Sequence, residues 1–135
     1  MGSEKTVSNK SLWHKGACHC GAVKFEVQSP NNVKLIACNC SICNMTGFLH
    51  LIVSAENFRL LAGANQLNTY TFNTHTAKHT FCKICGVKPF YTPRSHPNGI
   101  SVNFRCVDQE NFAIVTSEDF DGKNWEANVA ELREK

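Results

Sequence analysis

The sequence predicts a mainly β domain built of several small sheets, with one short C-terminal helix. Three observations carry that expectation. Apolar and polar residues alternate over short runs, and Gly, Pro and Asn punctuate those runs throughout the chain. Trp125, Val129 and Leu132 recur at i, i+4 and i+7, the one convincing helical period. Eight cysteines in 135 residues fall mostly in close pairs, so the strands are expected to be organised around cysteine knuckles.

Taken in order, residues 1–11 read as a flexible leader and 12–135 as a single domain, a size that can bury a hydrophobic core. In "AVKFEV", Val23, Phe25 and Val27 alternate with Ala22, Lys24 and Glu26, the period of a half-buried strand, and "PNN" at 30–32 ends it. "VKLIA" then runs as a strand into a cysteine cluster, and "FLHLIV" leads away from it. "SAENFRLLAG" predicts a helical turn, N-capped by Ser54 and closed by Gly63. "NQLNTYTFNT" and "KHTFC" are rich in Thr and aromatics, and "PFYTP", "ISVNFRCV" and "FAIVT" supply three further strands.

The totals exclude several functions. Net charge is only +3, with Lys and Arg scattered, so no basic stripe marks a nucleic-acid surface. No apolar run approaches the roughly 18 residues of a membrane helix. "MGSEKTVSNK" is polar and lacks the apolar segment of a signal peptide, which favours a cytoplasmic protein, or a nuclear one, over a secreted disulfide scaffold. "MGSEKT" also fits the N-myristoylation pattern through Gly2 and Thr6.

The cysteines divide by spacing. "CHCGAVKF" at 18–25 and "CKICGVKPF" at 82–90 echo one another, each a cysteine pair, a Gly and then Val-Lys before Phe. A metal knuckle needs a sharp turn there, often at positive φ, so that backbone N–H groups face the sulfurs. Cys18 and Cys20 with Cys82 and Cys85 complete the four thiolates of a closed structural zinc site. That leaves Cys38, Cys40 and Cys43 in "CNCSIC", three sulfurs expected on one short loop, and three ligands with an open fourth position is the arrangement of catalytic zinc. Asn39, Ser41 and Asn44 suit hydrogen bonding to those thiolates. A fourth ligand from Cys106 or a histidine is the alternative. His75 and His79 are four apart but lie in a Thr-rich strand or turn, and neither they nor His19 nor His50 is expected to bind metal. Three-plus-four thiolates in knuckles favour zinc over an iron–sulfur cluster.

These segments, "GACHCGAVKFEV", "CNCSICN" and "HTFCKICGVKPFYTPRS", resemble the glutathione-dependent formaldehyde-activating enzyme family, over nearly the whole chain from Gly16 to about Trp125. "YTFNTH", "HTFC" and "FYTPRS" look most like its centromere protein V branch. The resemblance implies an Mss4-like fold of small sheets. It also implies two zinc ions per chain: a structural one on Cys18, Cys20, Cys82 and Cys85, and a functional one on Cys38, Cys40 and Cys43. The family's reaction joins glutathione and formaldehyde to S-hydroxymethylglutathione, a carbon–sulfur lyase run in reverse. Arg94, in "YTPRSHP", is the candidate grip on a glutathione carboxylate, with Arg105 second, and Phe90 and Tyr91 are candidate pocket walls. Two other readings are set beside the enzyme: a non-catalytic zinc module that binds a protein partner, and a redox enzyme with Cys106 as nucleophile.

Overall fold

The computed structural model describes residues 6–133, with side chains as far as residue 130. Gly2, and the side chain of Leu132, therefore lie outside the described residues. Two unequal sheets form the domain. The smaller has three strands in the order β1-β2-β5, from β1 (Leu12–Ala17), β2 (Lys24–Ser29) and β5 (Phe58–Ala62). The larger has seven strands in the order β10-β3-β4-β9-β8-β7-β6. They are β3 (Asn32–Cys38), β4 (Leu49–Ser54), β6 (Leu67–Tyr70), β7 (Lys78–Cys82), β8 (Phe90–Thr92), β9 (Gly99–Asn103) and β10 (Ile114–Phe120). Every pairing is antiparallel except β10 with β3, which run parallel so that Phe120 faces Cys38.

The alternation seen in the sequence is what closes the core. Val23, Phe25 and Val27 are fully buried, and Leu35, Val102 and Phe104 join them with almost no exposure. Phe25 stacks on Phe58 at 5.6 Å and meets Phe90 edge-on at 5.8 Å, so Phe90 is a core residue rather than a pocket wall. The expected C-terminal helix is α2 (Trp125–Arg133), with Val129 buried. The leader's described part is tied to the turn before β3: Ser8 N donates to Asn31 Oδ1 at 2.9 Å, and Asn31 Nδ2 donates to the Thr6 carbonyl at 2.7 Å.

Two local expectations are corrected. "SAENFRLLAG" is not a helix beyond the single 3-10 turn Ala55–Asn57; Phe58–Ala62 is the edge strand β5, where Phe58 packs against the Phe25 cluster. Ser54 precedes that turn without a side-chain cap, and Gly63 turns the chain at positive φ after a strand. The reverse error falls on "SICNMT": Ser41–Thr46 is a helix, α1, not a loop. Its Gly47 end sits in the left-handed region at φ 65°, and Phe48 N donates to the Cys43 carbonyl, a glycine-terminated helix end.

Candidate functional site

The two expected cysteine groups are both assembled. The Sγ atoms of Cys18, Cys20, Cys82 and Cys85 lie within 4.8 Å of one another, and so do those of Cys38, Cys40 and Cys43. In the first group the Cys18–Cys20 and Cys20–Cys82 sulfurs are 3.7 Å apart. A tetrahedron with metal–sulfur bonds of ~2.3 Å has edges of about 3.8 Å, so the spacing fits a metal ion. The knuckle echo is geometric as well. Gly21 and Gly86 both turn at positive φ, 81° and 78°, which a residue with a side chain adopts only at a cost. Val23 N donates to Cys18 Sγ and Ile84 N to Cys82 Sγ, each at 3.4 Å. Backbone N–H groups of Cys20 and Val87 bring the Cys85 thiol down to about 6, favouring the thiolate a metal requires.

The second group is built at the meeting of three elements. Cys38 ends β3, Cys40 is the N-cap of α1, and Cys43 follows one turn later on the same side of that helix. Asn39 bolts this corner to the turn after β10: its side chain donates to Asp121 Oδ1 at 3.0 Å and accepts from Lys123 N at 3.0 Å. Asn39 therefore positions the loop rather than donating to sulfur. Gly122, in that turn, lies so close that a Cβ there would collide with Cys38 Sγ and come within 3.0 Å of Cys40 Cβ. The three thiols perturb one another: Cys38 first and then Cys43 hold Cys40 far below the usual thiol range, Cys40 pushes Cys38 up, and Cys38 first and then Cys40 push Cys43 up.

No further Cys, His, Asp or Glu joins this trio among the described residues. All three cysteines line a cavity of about 730 Å³, whereas none of the four knuckle cysteines lines it or a second cavity of about 480 Å³. The cavity wall spans two neighbouring rows of the large sheet, because His50 pairs with Asn103 on β9 whereas Tyr91 pairs with Ser101. Register places Ile36 beside His50, Tyr91 beside Ser101 and His79 beside Tyr91, and Ile36, His50, Tyr91 and His79 all face the cavity. Trp125 and Arg94 also line the cavity.

The charges around the trio also fit a bound cation with thiolate ligands. Lys88 is buried, its Nζ 3.9 Å from the centre of the Tyr91 ring and 2.6 Å from His79 Nδ1. No carboxylate lies within ion-pair distance of it among the described residues. Burial pushes its ammonium down to about 8, while Cys43 and Cys40 pull it back up. A lone buried ammonium is costly, and Cys43 and Cys40 as metal-bound thiolates would supply its counter-charge. His50 Nδ1 is 2.8 Å from Ser101 Oγ, and its buried Nε2 has no partner, so the site retains polar capacity for a bound group.

Several expected residues lie elsewhere or act otherwise. Cys106 belongs to neither group; it packs beside the core near Cys18 and Cys85, and burial pushes its thiol up to about 11, unlike a nucleophile. Arg94 does line the cavity, but its guanidinium is engaged by Glu126 at 2.9 Å and stacks 3.6 Å over Trp125. Arg105 donates Nε–H to the Gly47 carbonyl at 2.9 Å and so closes the end of α1. His75 sits at positive φ, bonded to Thr71, while His79 is in the cavity wall, so the pair shares no metal. His79, His50, Lys88 and Gly122 are the site residues that motif reasoning missed. The signals were a lysine inside the apolar run "GVKPFY" and a histidine inside "LHLIV".

The model of the glutathione-dependent formaldehyde-activating enzyme family matches residues 13–121. The chain belongs to that family. A Halomonas elongata protein provisionally named as a glutathione-dependent formaldehyde-activating enzyme is 32% identical over 79 residues, covering 53% of this chain. The match spans 50% of that curated relative's length. A Rhodobacter sphaeroides protein of known crystal structure superposes with a TM-score of 0.66 at 35% identity, over 77% of this chain and 99% of its own. No helix among the described residues is long and apolar enough to cross a membrane.

Proposed function

We propose that this family member is a zinc-dependent enzyme joining glutathione, or a related small thiol, to formaldehyde to give S-hydroxymethylglutathione. This is carbon–sulfur lyase chemistry run towards synthesis. The observation that carries the reading is the opening of a three-sulfur cluster, with no fourth ligand among the described residues, onto a cavity of about 730 Å³. That volume falls within the roughly 300–1,000 Å³ of small-molecule sites. Cys38, Cys40 and Cys43 would hold one ion, and Cys18, Cys20, Cys82 and Cys85 a second, purely structural one. Zinc suits both donor sets, and at the open position it supplies a centre where a thiol sheds its proton near neutral pH.

The chain's own residues do the rest. Lys88 offsets the thiolate charge, so that a further thiolate is not repelled from the cavity. Arg94 and Lys123 are the cations lining the cavity and are the groups suited to glutathione's carboxylates. Phe120, Trp125 and Phe72 exclude water around the reacting atoms. The sulfur–carbon bond forms as the thiol proton leaves and the aldehyde oxygen gains one, so the step is proton-neutral. The segments "YTFNTH" and "FYTPRS" support a place in the centromere protein V-like branch of the family.

Zinc stoichiometry, with X-ray absorption at the zinc edge before and after glutathione, tests the reading. Two ions per chain are expected, one of them gaining a sulfur ligand. Two ions already fully ligated and indifferent to glutathione would overturn it in favour of a partner-binding module.

A further inference from the structure

Two residues beside the open centre, His79 and Lys88, are arranged in a way the thiol chemistry alone does not require. His79 is sandwiched between Phe72, at 5.4 Å and 22°, and Tyr91, at 4.8 Å and 15°, which fixes the plane of its imidazole. Its Nδ1 is 2.6 Å from Lys88 Nζ. An ammonium has three donors and no acceptor, so Nδ1 must accept, and the single proton of the neutral ring must sit on Nε2. Burial first, and the Lys88 charge second, hold the imidazole neutral by bringing its pKa down to about 4.

The location gives this tautomer a use. His79 lines both the large cavity and a smaller one of about 480 Å³, and Lys88 lines only the smaller. The imidazole, with Ile42, thus stands between them: Lys88 grips one ring nitrogen, and Nε2–H has no hydrogen-bond partner among the described residues. His50 also faces the large cavity, but its Nδ1 partners are the Ser101 and Tyr91 hydroxyls, which both donate and accept and so fix no tautomer. Of these two cavity histidines, only His79 has its proton assigned by the chemistry of its neighbour.

We propose that Lys88 is a positioning residue that locks His79 in its Nε2–H form, and that His79 is the hydrogen-bond donor to the aldehyde oxygen as negative charge builds there. This rests on the aldehyde–thiol reading above. A neutral imidazole donor is suited to the task because it stabilises the oxyanion without surrendering its proton first. Removing one such donor from an enclosed site costs roughly 10²–10³ in kcat.

The test uses the metal-loaded protein and two independent readouts. Nitrogen-15 NMR of labelled histidines should place the His79 proton on Nε2, and Lys88→Met should spread it over both ring nitrogens. In glutathione–formaldehyde turnover, Lys88→Met and His79→Phe should lower kcat by about 10²–10³ while KM for glutathione stays within about threefold. His79→Gln, which keeps a donor, and Lys88→Arg, which keeps the cation, should each recover at least about tenfold of that loss. If Lys88→Met does not fold, the contrast of His79→Gln with His79→Phe decides the matter with Lys88 intact. A His79 proton found on Nδ1, or equal kcat for the Gln and Phe variants, overturns the proposal. An inactive wild type overturns the catalytic half together with the proposed reaction, while the tautomer measurement still decides the Lys88 half.

Discussion

Gly122→Ala is the sharpest test of how the open centre is built, because it adds one carbon at the back of two ligands. The new Cβ would overlap Cys38 Sγ and lie 3.0 Å from Cys40 Cβ and 3.3 Å from Cys40 N. Ordinary non-bonded contacts are about 3.5–4.0 Å, so the turn and the ligands must part by roughly 1 Å. Neither side yields easily. Cys38 is held by β3 in register with Phe120, and the turn is bound to the same corner through Asn39. Overpacking of this kind costs about 1–3 kcal/mol, which for a domain of this size lowers Tm by roughly 3–5 °C per kcal/mol. Metal–sulfur distances tolerate only about ±0.2 Å, so a sulfur displaced by that much no longer ligates. The expected result is loss of one of two zinc ions, measured by mass spectrometry of the metal. Folding should persist by circular dichroism, and turnover should fall by about 10² or more. A Gly122→Ala protein with two ions and wild-type turnover would refute the reasoning.

The other perturbations separate the two centres and the side chains around them. Cys82→Ser should unfold the domain rather than merely inactivate it, because structural zinc contributes apparent binding energies of about 10–16 kcal/mol to folding; a cooperative thermal transition near the wild-type Tm would contradict this. Cys106→Ser should leave both ions and turnover unchanged, and lost activity with both ions in place would revive the redox reading. Arg94→Met should raise KM for glutathione about tenfold, the value of one charge-assisted hydrogen bond, with kcat little altered; an unchanged KM would place the carboxylates elsewhere. His79 gives the pH dependence. Its imidazole is held down to about 4 when folded, against about 6.5 when unfolded. The unfolded chain alone therefore binds this proton as pH falls from 6.5 towards 4, and stability declines across that window. At pH 5 the loss from this one group is about 2 kcal/mol. His79→Gln should flatten the fall in Tm between pH 7 and pH 5, and identical slopes would show that the imidazole is not held neutral.

What the sequence revealed and what it hid follow from the range of the interactions. Ligand spacing within a knuckle is local, so "CHCG" and "CKICG" could be read directly, positive-φ glycines included. The alternation of Val23, Phe25 and Val27 is local too, and it identified the buried face. "NFRLLAG" was misread because its apolar residues serve an edge strand whose partner, β2, is more than thirty residues away in the chain. The cavity wall was hidden for the same reason. His50, Tyr91 and His79 become neighbours only through the register of β4, β9, β8 and β7, and no short window contains that register. Gly122 was silent because its requirement is for space beside Cys38, eighty residues earlier, and not for a special φ.

The contrast between the two centres comes down to charge. Four thiolates around a divalent ion leave two net negative charges, tolerable where Cys20 is exposed and water and knuckle N–H groups share them. At the floor of a cavity walled by Ile36, Tyr91 and Trp125 the same set would face a far less polar surrounding. Three thiolates leave one negative charge, and the buried Lys88 ammonium answers it without a carboxylate of its own. Under the proposed reaction, a fourth thiolate would be tolerated only as substrate. Its binding would add one uncompensated negative charge beside an electrophile, and formation of the carbon–sulfur bond would remove it from the sulfur. A fourth cysteine from the chain would have closed the site and kept that charge permanently. Three sulfurs and one buried lysine would then act as a single electrostatic unit, in which metal-bound thiolates would make the lysine's burial tolerable and the lysine would make room for one more thiolate.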